Sequence, residues 1–303
     1  MLNKATTLKG YALHSRDGDI GSVKEFYFDD RHWTIRYLVA DTGNWLSGRQ
    51  VLISPQALIS VNCEEQHIGI GLTKKQIEDS PSLDSDKPVS RQFETIYYGY
   101  YGWPMYWGGP YMWGTSSFPG IMPDTGEMRQ SARGVSQHGM GESPPALPNS
   151  EALPARDCDE KTGDAHLRST HDVIGYHINA DDGEIGHVED FIIDDETWAI
   201  RYFVVDTVNW WPGKKVLIAA RWIDRVSWEE SKVFVNLTRA AIKQAPEFTD
   251  ESLLTREFES KLHGCYNRQG YWVDEKRHCC VESCKSGRDA RNMPNNEGKG
   301  PQG

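Results

Sequence analysis

The chain has 303 residues, a formal net charge of −11 and 38% hydrophobic residues. This length predicts two domains, and the modest apolar content predicts that part of the chain lies outside any packed core. The acidic balance argues against nucleic acid as a partner, because nucleic-acid-binding proteins carry a basic surface. No apolar run approaches the roughly 20 residues of a membrane span, and the N-terminus lacks a signal sequence, so we expect a cytoplasmic protein.

The first hundred residues predict a series of short strands. Apolar residues alternate with polar ones, and Asp-Gly and similar turn signals separate the runs. Strands are predicted at residues 11–15, 20–29, 33–42, 50–53, 58–61 and 67–72. Thr73 is predicted to cap a short helix over residues 74–79, and a second helix is expected over residues 89–98.

The composition then changes twice. Residues 97–113 are dense in aromatic residues, glycine and proline, and we expect them to pack on the first module or to mediate association. Residues 114–170 are rich in serine, proline and glycine, which is typical of a disordered tether. Residues 99–170 are therefore assigned to a linker.

The strand pattern returns after the linker at a constant shift of 165 positions. GYALHSRDGDIGSVKEFYFDD at Gly10 becomes GYHINADDGEIGHVEDFIIDD at Gly175. The repeat predicts two copies of one fold, at residues 1–98 and 171–264, followed by a disordered tail over residues 265–303. The expected fold class is mainly β, with two small antiparallel β-barrels that carry short helical appendages.

Both copies resemble the PRC-barrel family. The resemblance rests on a DGxxIGxV run, an Asp-rich turn and a W-x-IRY strand that ends in Asp-Thr. The matching positions in the first copy are Asp17, Gly18, Ile20, Gly21, Val23, Trp33, Ile35, Arg36, Tyr37, Asp41, Trp45, Gly48, Val51 and Leu52. The sequence of these segments is similar to that of the cytoplasmic barrel of the photosynthetic reaction-centre H subunit, and more distantly to that of the C-terminal domain of the ribosome maturation factor RimM.

The resemblance implies a small antiparallel barrel without catalytic function. We therefore expect a non-enzymatic scaffold or adaptor that binds a protein partner, in the cytoplasm or peripheral to the inner membrane in a membrane-associated complex. Two alternatives stay open, a reaction-centre H-like subunit that assists proton or electron transfer to quinone, and an RNA or ribosome-assembly module. No catalytic residue and no cofactor is predicted, since no recognised catalytic or nucleotide-binding motif occurs.

Two aromatic loops beside cations are the candidate partner-binding residues. They contain Trp45 with Arg49 in the first copy, and Trp210 and Trp211 with Lys214 in the second. Tryptophan and arginine often anchor protein interfaces, and the same side chains can stack bases and hold phosphate. A third interpretation is that each tryptophan closes one end of its barrel.

Two arginines stand in the middle of otherwise aliphatic strands. A buried arginine requires a carboxylate partner, so we predict structural ion pairs of Arg36 with Glu25 and of Arg201 with Asp190. The acidic pairs at the hairpin tips, residues 29–30 and 194–195, are expected to be solvated turn residues.

The C-terminal cysteines are weak metal candidates. Cys279, Cys280 and Cys284 with His278 offer side chains that can bind zinc, but their spacing matches no standard zinc framework. We therefore predict no metal site and expect reduced thiols.

Overall fold

A computed structural model describes residues 1–43, 45–46, 49–81, 89–109, 111–114, 116–119, 166–207, 214–249 and 254–273. These residues form two seven-stranded sheets and a few short helices, which confirms the mainly β fold class. Within the described residues, no helix is long and apolar enough to cross a membrane.

The first repeat begins with a three-residue strand and one helical turn, and ends with an eleven-residue helix. Its elements are β1 (Leu2–Lys4), α1 (Ala5–Leu8), β2 (Ala12–Ser15), β3 (Gly18–Asp29), β4 (Thr34–Asp41), β5 (Gln50–Ile53), β6 (Leu58–Asn62), β7 (His67–Ile70), α2 (Lys74–Glu78) and α3 (Arg91–Tyr101).

The second repeat has the same order of elements. They are β8 (Leu167–Ser169), α4 (Thr170–Val173), β9 (His177–Ala180), β10 (Gly183–Asp194), β11 (Ile200–Asp206), β12 (Lys215–Ala219), β13 (Ile223–Ser227), β14 (Lys232–Val235), α5 (Arg239–Gln244) and α6 (Arg256–Cys265). Thr73 caps α2 by accepting from the Gln76 amide, as the sequence predicts, and Thr238 caps α5 in the same way by accepting from the Ala241 amide.

Each sheet follows the same path through its repeat. The order is β5-β4-β3-β2-β7-β6 in the first sheet and β12-β11-β10-β9-β14-β13 in the second. The sequence predicts antiparallel strands throughout, but β2 pairs with β7, and β9 with β14, in parallel. The β6–β7 hairpin returns beside β2 rather than continuing from β5, so this pairing joins the late part of each repeat to its early part.

The seventh strand of each sheet comes from the other repeat. β1 pairs antiparallel with β10, where Leu2 is opposite Asp194, and β8 pairs antiparallel with β3, where Leu167 is opposite Asp29. The helical turns that follow, α1 and α4, also contact β10 and β3 respectively. The two repeats therefore exchange their leading strands, and neither sheet is complete without the other half of the chain.

A second junction lies between the two β-turns that precede β4 and β11. The Ile35 amide donates to the carbonyl of Trp198 at 2.8 Å, and the Ile200 amide donates to the carbonyl of Trp33 at 2.6 Å. Both tryptophans have positive φ, 51° and 59°. These reciprocal bonds relate the two repeats by a local twofold axis that passes between Trp33 and Trp198.

Apolar side chains from both repeats meet behind this junction in one hydrophobic core. The Phe28 ring lies 5.9 Å from that of Phe191, and the Trp33 ring lies edge-on to Phe203 at 5.2 Å. The sequence left open whether the two modules pack together. The exchanged strands and the shared core show that they form one folded unit.

The repeat extends further toward the C-terminus than the sequence boundaries suggest. Tyr106 and Trp107 follow α3, and Tyr271 and Trp272 follow α6 at the same shift of 165 positions. Both tyrosines donate to a buried glutamate, Glu94 in the first repeat and Glu259 in the second. The boundaries drawn at residues 99 and 265 therefore fall inside the two repeats.

Candidate functional site

The candidate loop of the first repeat is anchored to helix α2. The Arg49 guanidinium donates to the carbonyl of Glu78 at 2.9 Å and to the carbonyl of Ser80, at the end of the helix. The Trp45 ring is half-buried, with the ammonium of Lys74 5.0 Å from its centroid. Arg49 thus satisfies carbonyls that the helix end leaves without intrahelical donors.

Lys214 has the same role in the second repeat. Its ammonium donates to the carbonyls of Lys243 and Ala245, both at 2.7 Å, at the end of α5. The other two candidates of this loop, Trp210 and Trp211, lie outside the described residues. Arg49 and Lys214 occupy equivalent positions and have equivalent acceptors. Their contacts therefore have a structural role in each repeat, which is to hold the loop on the end of the helix.

The predicted arginine ion pairs form with different carboxylates. Arg36 is fully buried and donates to Asp29 at 3.2 Å, and Arg201 donates to Asp194 at 3.0 and 2.6 Å. The acidic pairs at the hairpin tips are therefore not the solvated turn residues that the sequence predicts. Burial raises the pKa of Asp29, but the hydrogen bond with His32 and the charge of Arg36 outweigh it, so that this pKa lies well below its usual range.

The register of the sheet explains the difference. Glu25 is opposite Val39, three positions along β4 from Arg36, whereas Asp29 is opposite Thr34, two positions away and on the same face. A register irregularity between Tyr27 and Phe28 produces this offset, and it could not be read from the alternation of residues.

Glu25 and Asp190, the predicted partners, instead hold the exchanged segments. The Ser169 hydroxyl donates to Glu25, and the Thr6 hydroxyl donates to Asp190, which also accepts from the Thr6 amide at 3.2 Å. Each bond joins one repeat to the other. These carboxylates therefore secure the strand exchange rather than the hairpin register.

A buried carboxylate lies under each sheet and accepts from two phenols. Glu94 accepts from Tyr37 and Tyr106, both at 2.8 Å, and forms an ion pair with Arg91 at 2.9 Å. Burial and the Glu94 carboxylate raise the pKa of Tyr106 well above its usual value. The phenols therefore remain protonated donors, and the cluster is a buried polar network that orients α3 on the sheet.

The second repeat has the same network with one titratable difference. Glu259 accepts from Tyr202 at 2.8 Å and from Tyr271 at 2.9 Å. His263 lies beside Tyr202 at 3.1 Å, where the first repeat has Tyr98. Burial, together with the charges of nearby arginines, lowers the pKa of His263 to about 4.

This lowered pKa predicts a loss of stability in mild acid. Below an ordinary histidine pKa of about 6.5 the unfolded chain takes up a proton at His263, whereas the folded protein does so only near pH 4. The free energy of unfolding should therefore fall by on the order of 2 kcal/mol between pH 7 and pH 4.5 through this group. The variant His263→Tyr introduces the tyrosine that the first repeat has at this position. Urea unfolding of the wild type and of this variant at several pH values measures the contribution of His263 as the difference between the two pH dependences. Equal pH dependences would contradict the assignment.

A groove with a cavity volume of about 350 Å³ lies between strand β13 and the β3–β4 turn, next to His166, which directly precedes the exchanged strand β8. Its walls and rim include Arg31, Trp33, His166, Arg225, Val226 and Trp228. Arg168, next to the rim, holds its guanidinium 4.1 Å from the centre of the Trp228 ring, and its Nε lies 3.4 Å from Asp30. We call this feature the Trp228 groove.

The equivalent surface in the other half of the protein has different chemistry. The positions shifted by 165 hold Cys63 for Trp228, Ser60 for Arg225 and Glu196 for Arg31. The fold is the same in both places, so it does not require tryptophan or arginine there. No motif that the two copies share contains these residues, because the signal for them lies in where the copies differ.

The metal candidates of the tail are not placed by the structure. Cys279, Cys280, Cys284 and His278 lie outside the described residues. Within the part of the chain that is described, no group of three or more histidine, cysteine, aspartate or glutamate side chains is arranged to hold a metal ion.

Comparison with known proteins identifies one repeat. Residues 167–242 match the PRC-barrel domain family, so the second repeat contains a PRC-barrel domain. An uncharacterized protein of Deinococcus radiodurans is 31% identical over 100 residues, which span 32% of this chain and 35% of that protein. The chain thus covers about a third of that relative's length.

Proposed function

We propose that the protein is a non-enzymatic scaffold that binds a protein partner in the Trp228 groove. The observation that carries this proposal is the difference between the two halves: the groove has Trp228 and Arg225 where the equivalent surface has Cys63 and Ser60. Tryptophan and arginine are the residues most enriched at the energetic centres of protein interfaces.

The architecture supports a binding role for this groove. Its residues come from the β3–β4 turn, from His166 directly before the exchanged strand β8, and from strand β13 with the residue that follows it; the strand exchange holds these elements together. A surface whose backbone is fixed before binding loses little conformational entropy when the partner docks. The half-buried Trp228 ring and the exposed Arg225 side chain then supply an apolar wall and a charged rim.

The test replaces the groove residues by those of the equivalent surface. Trp228→Cys with Arg225→Ser should leave the fold intact, since the same fold holds Cys63 and Ser60. Partners captured from a lysate of the source cells with the wild-type protein are purified, and their affinity is measured by titration calorimetry. We expect the double substitution to weaken binding by at least about 30-fold.

Ile59→Ala is the matched control, because Ile59 is 58% exposed on the equivalent surface of the other half. It should leave the affinity unchanged. Thermal unfolding of each variant shows whether the fold is retained. A partner that binds the folded double variant as tightly as the wild type would exclude the groove as its docking site.

A further inference from the structure

The two repeats each hold a buried arginine between a carboxylate and an aromatic ring, and the described residues show what covers the arginine of the first repeat. In the first repeat the Tyr106 ring lies 3.9 Å from the Arg36 guanidinium. A segment of the same chain completes the enclosure, because the carbonyl of Met112 accepts from Arg36 at 2.7 Å and the Trp113 ring lies 4.9 Å from its guanidinium carbon. Trp113 is only 1% exposed, so this site is filled.

The second repeat has the same arginine under the same ring. The Arg201 guanidinium lies 4.0 Å from the Tyr271 ring and donates to Asp194 and to Thr197. Arg201 also faces a cleft with a volume of about 320 Å³, which Arg256, Glu259 and Leu254 help to line. We call it the Arg201 cleft.

The charges around this cleft disfavour an anionic ligand. Asp194 balances Arg201, and Glu259 forms an ion pair with Arg256 at 2.9 Å. An anionic ligand would have to compete with these carboxylates. A neutral aromatic ring can lie against a guanidinium without displacing its counter-ion, as Trp113 does in the first repeat.

An aromatic side chain of the chain itself lies at the edge of the cleft. Phe118, which belongs to the same segment as Trp113, lines the cleft and is 48% exposed. A volume of about 320 Å³ is at the lower end of ligand sites, which run from roughly 300 to 1,000 Å³, and suits one large side chain with its backbone.

We propose that the Arg201 cleft binds an extended peptide segment of a partner protein, which inserts a large aromatic side chain as Trp113 does over Arg36. The first repeat thus carries a copy of the ligand within its own chain. This site is separate from the Trp228 groove, and it does not depend on the function proposed for that groove.

The segment that fills the first repeat provides the probe. A fluorescein-labelled peptide with the sequence of residues 109–116, GPYMWGTS, is titrated with the full chain, and binding is followed by fluorescence anisotropy. We expect the peptide to saturate one site per chain, the Arg201 cleft, because residues of the chain itself already fill the equivalent site of the first repeat. A peptide with alanine at the tryptophan position should bind at least about tenfold more weakly.

Two protein variants locate the site. Leu254→Trp places a ring at the wall of the cleft and should abolish binding while Arg201 and its ion pair remain. Arg225→Ser, in the Trp228 groove, should leave peptide binding unchanged, so that failure of this proposal is distinguishable from failure of the scaffold proposal. Thermal unfolding confirms that both variants retain the fold.

Three results would overturn the proposal. The first is no binding of the peptide by the full chain at millimolar concentration, as would follow if residues 274–303 of the chain were the occupant. The second is equal binding of the tryptophan and alanine peptides. The third is unchanged binding by a folded Leu254→Trp variant.

Discussion

A chain that starts at Gly10 should lose the stability of its second repeat, although the deleted residues lie in the first. The deletion removes β1, which pairs with β10, and the fully buried Leu8 of α1. A buried leucine contributes about 2–5 kcal/mol, and Asp190 would lose its bonds from Thr6 at a further cost of about 1–3 kcal/mol. The sum approaches the total stability of many domains, about 5–15 kcal/mol.

Hydrogen exchange followed by mass spectrometry measures where protection is lost. We expect the largest loss at Ile192–Asp194 of β10, because the deletion removes the strand that pairs with these three residues. Loss confined to residues 10–43 would show that the N-terminal segment packs on its own repeat. It would contradict the strand exchange.

A milder pair of variants tests the same contact in a chain that still folds. Thr6→Val removes the hydroxyl that donates to Asp190, whereas Thr7→Val alters an exposed neighbour in the same helical turn. Thr6→Val should cost about 1–3 kcal/mol in urea unfolding, and Thr7→Val should change the stability by less than about 0.5 kcal/mol. Equal effects would argue that Asp190 does not depend on the exchanged segment.

The second large loss of stability is expected when Gly186 is replaced by alanine. An added Cβ would lie 1.9 Å from the carbonyl oxygen of Asp206, and the residue has a φ of +149°. Because the obstacle is backbone of the neighbouring strand β11, relief requires the strands to separate. Gly186→Ala should therefore destabilise the protein by about 3 kcal/mol or more, measured by urea unfolding.

Two glycines provide the comparison for this substitution. Gly21→Ala should be equally harmful, since the equivalent Cβ lies 1.9 Å from the carbonyl oxygen of Asp41. Gly264→Ala lies in α6 with no atom within 4 Å of the new Cβ, so it should be neutral or stabilise the helix by up to about 1 kcal/mol. A tolerated Gly186→Ala would mean that β10 and β11 do not approach each other this closely.

The sequence by itself determined the elements and their duplication. Strand alternation, Asp-Gly turns and the caps Thr73 and Thr238 are local signals, each contained within a few residues, and they predicted the mainly β class and the second repeat. Such signals say which residues form a strand and which face is apolar. They do not say which partner the strand takes.

The tertiary structure decided the pairings. The partner of Arg36 depended on a register irregularity between Tyr27 and Phe28, which shifts the face that each carboxylate of β3 presents. The Trp228 groove and the Arg201 cleft likewise depend on segments that are far apart in the chain. No spacing in the sequence brings Trp228 beside Arg168 or Tyr271 over Arg201.

The strand exchange shows the physical reason most directly. Because β3 and β10 are equivalent strands with the same pairing in their sheets, the three-residue strand β1 finds similar edges in both. Local preference cannot distinguish them, since the two pairings would form the same kind of ladder. In the folded chain the reciprocal bonds at Trp33 and Trp198 join the two halves, and the bond from Thr6 to Asp190 holds the segment that carries β1 on the second repeat.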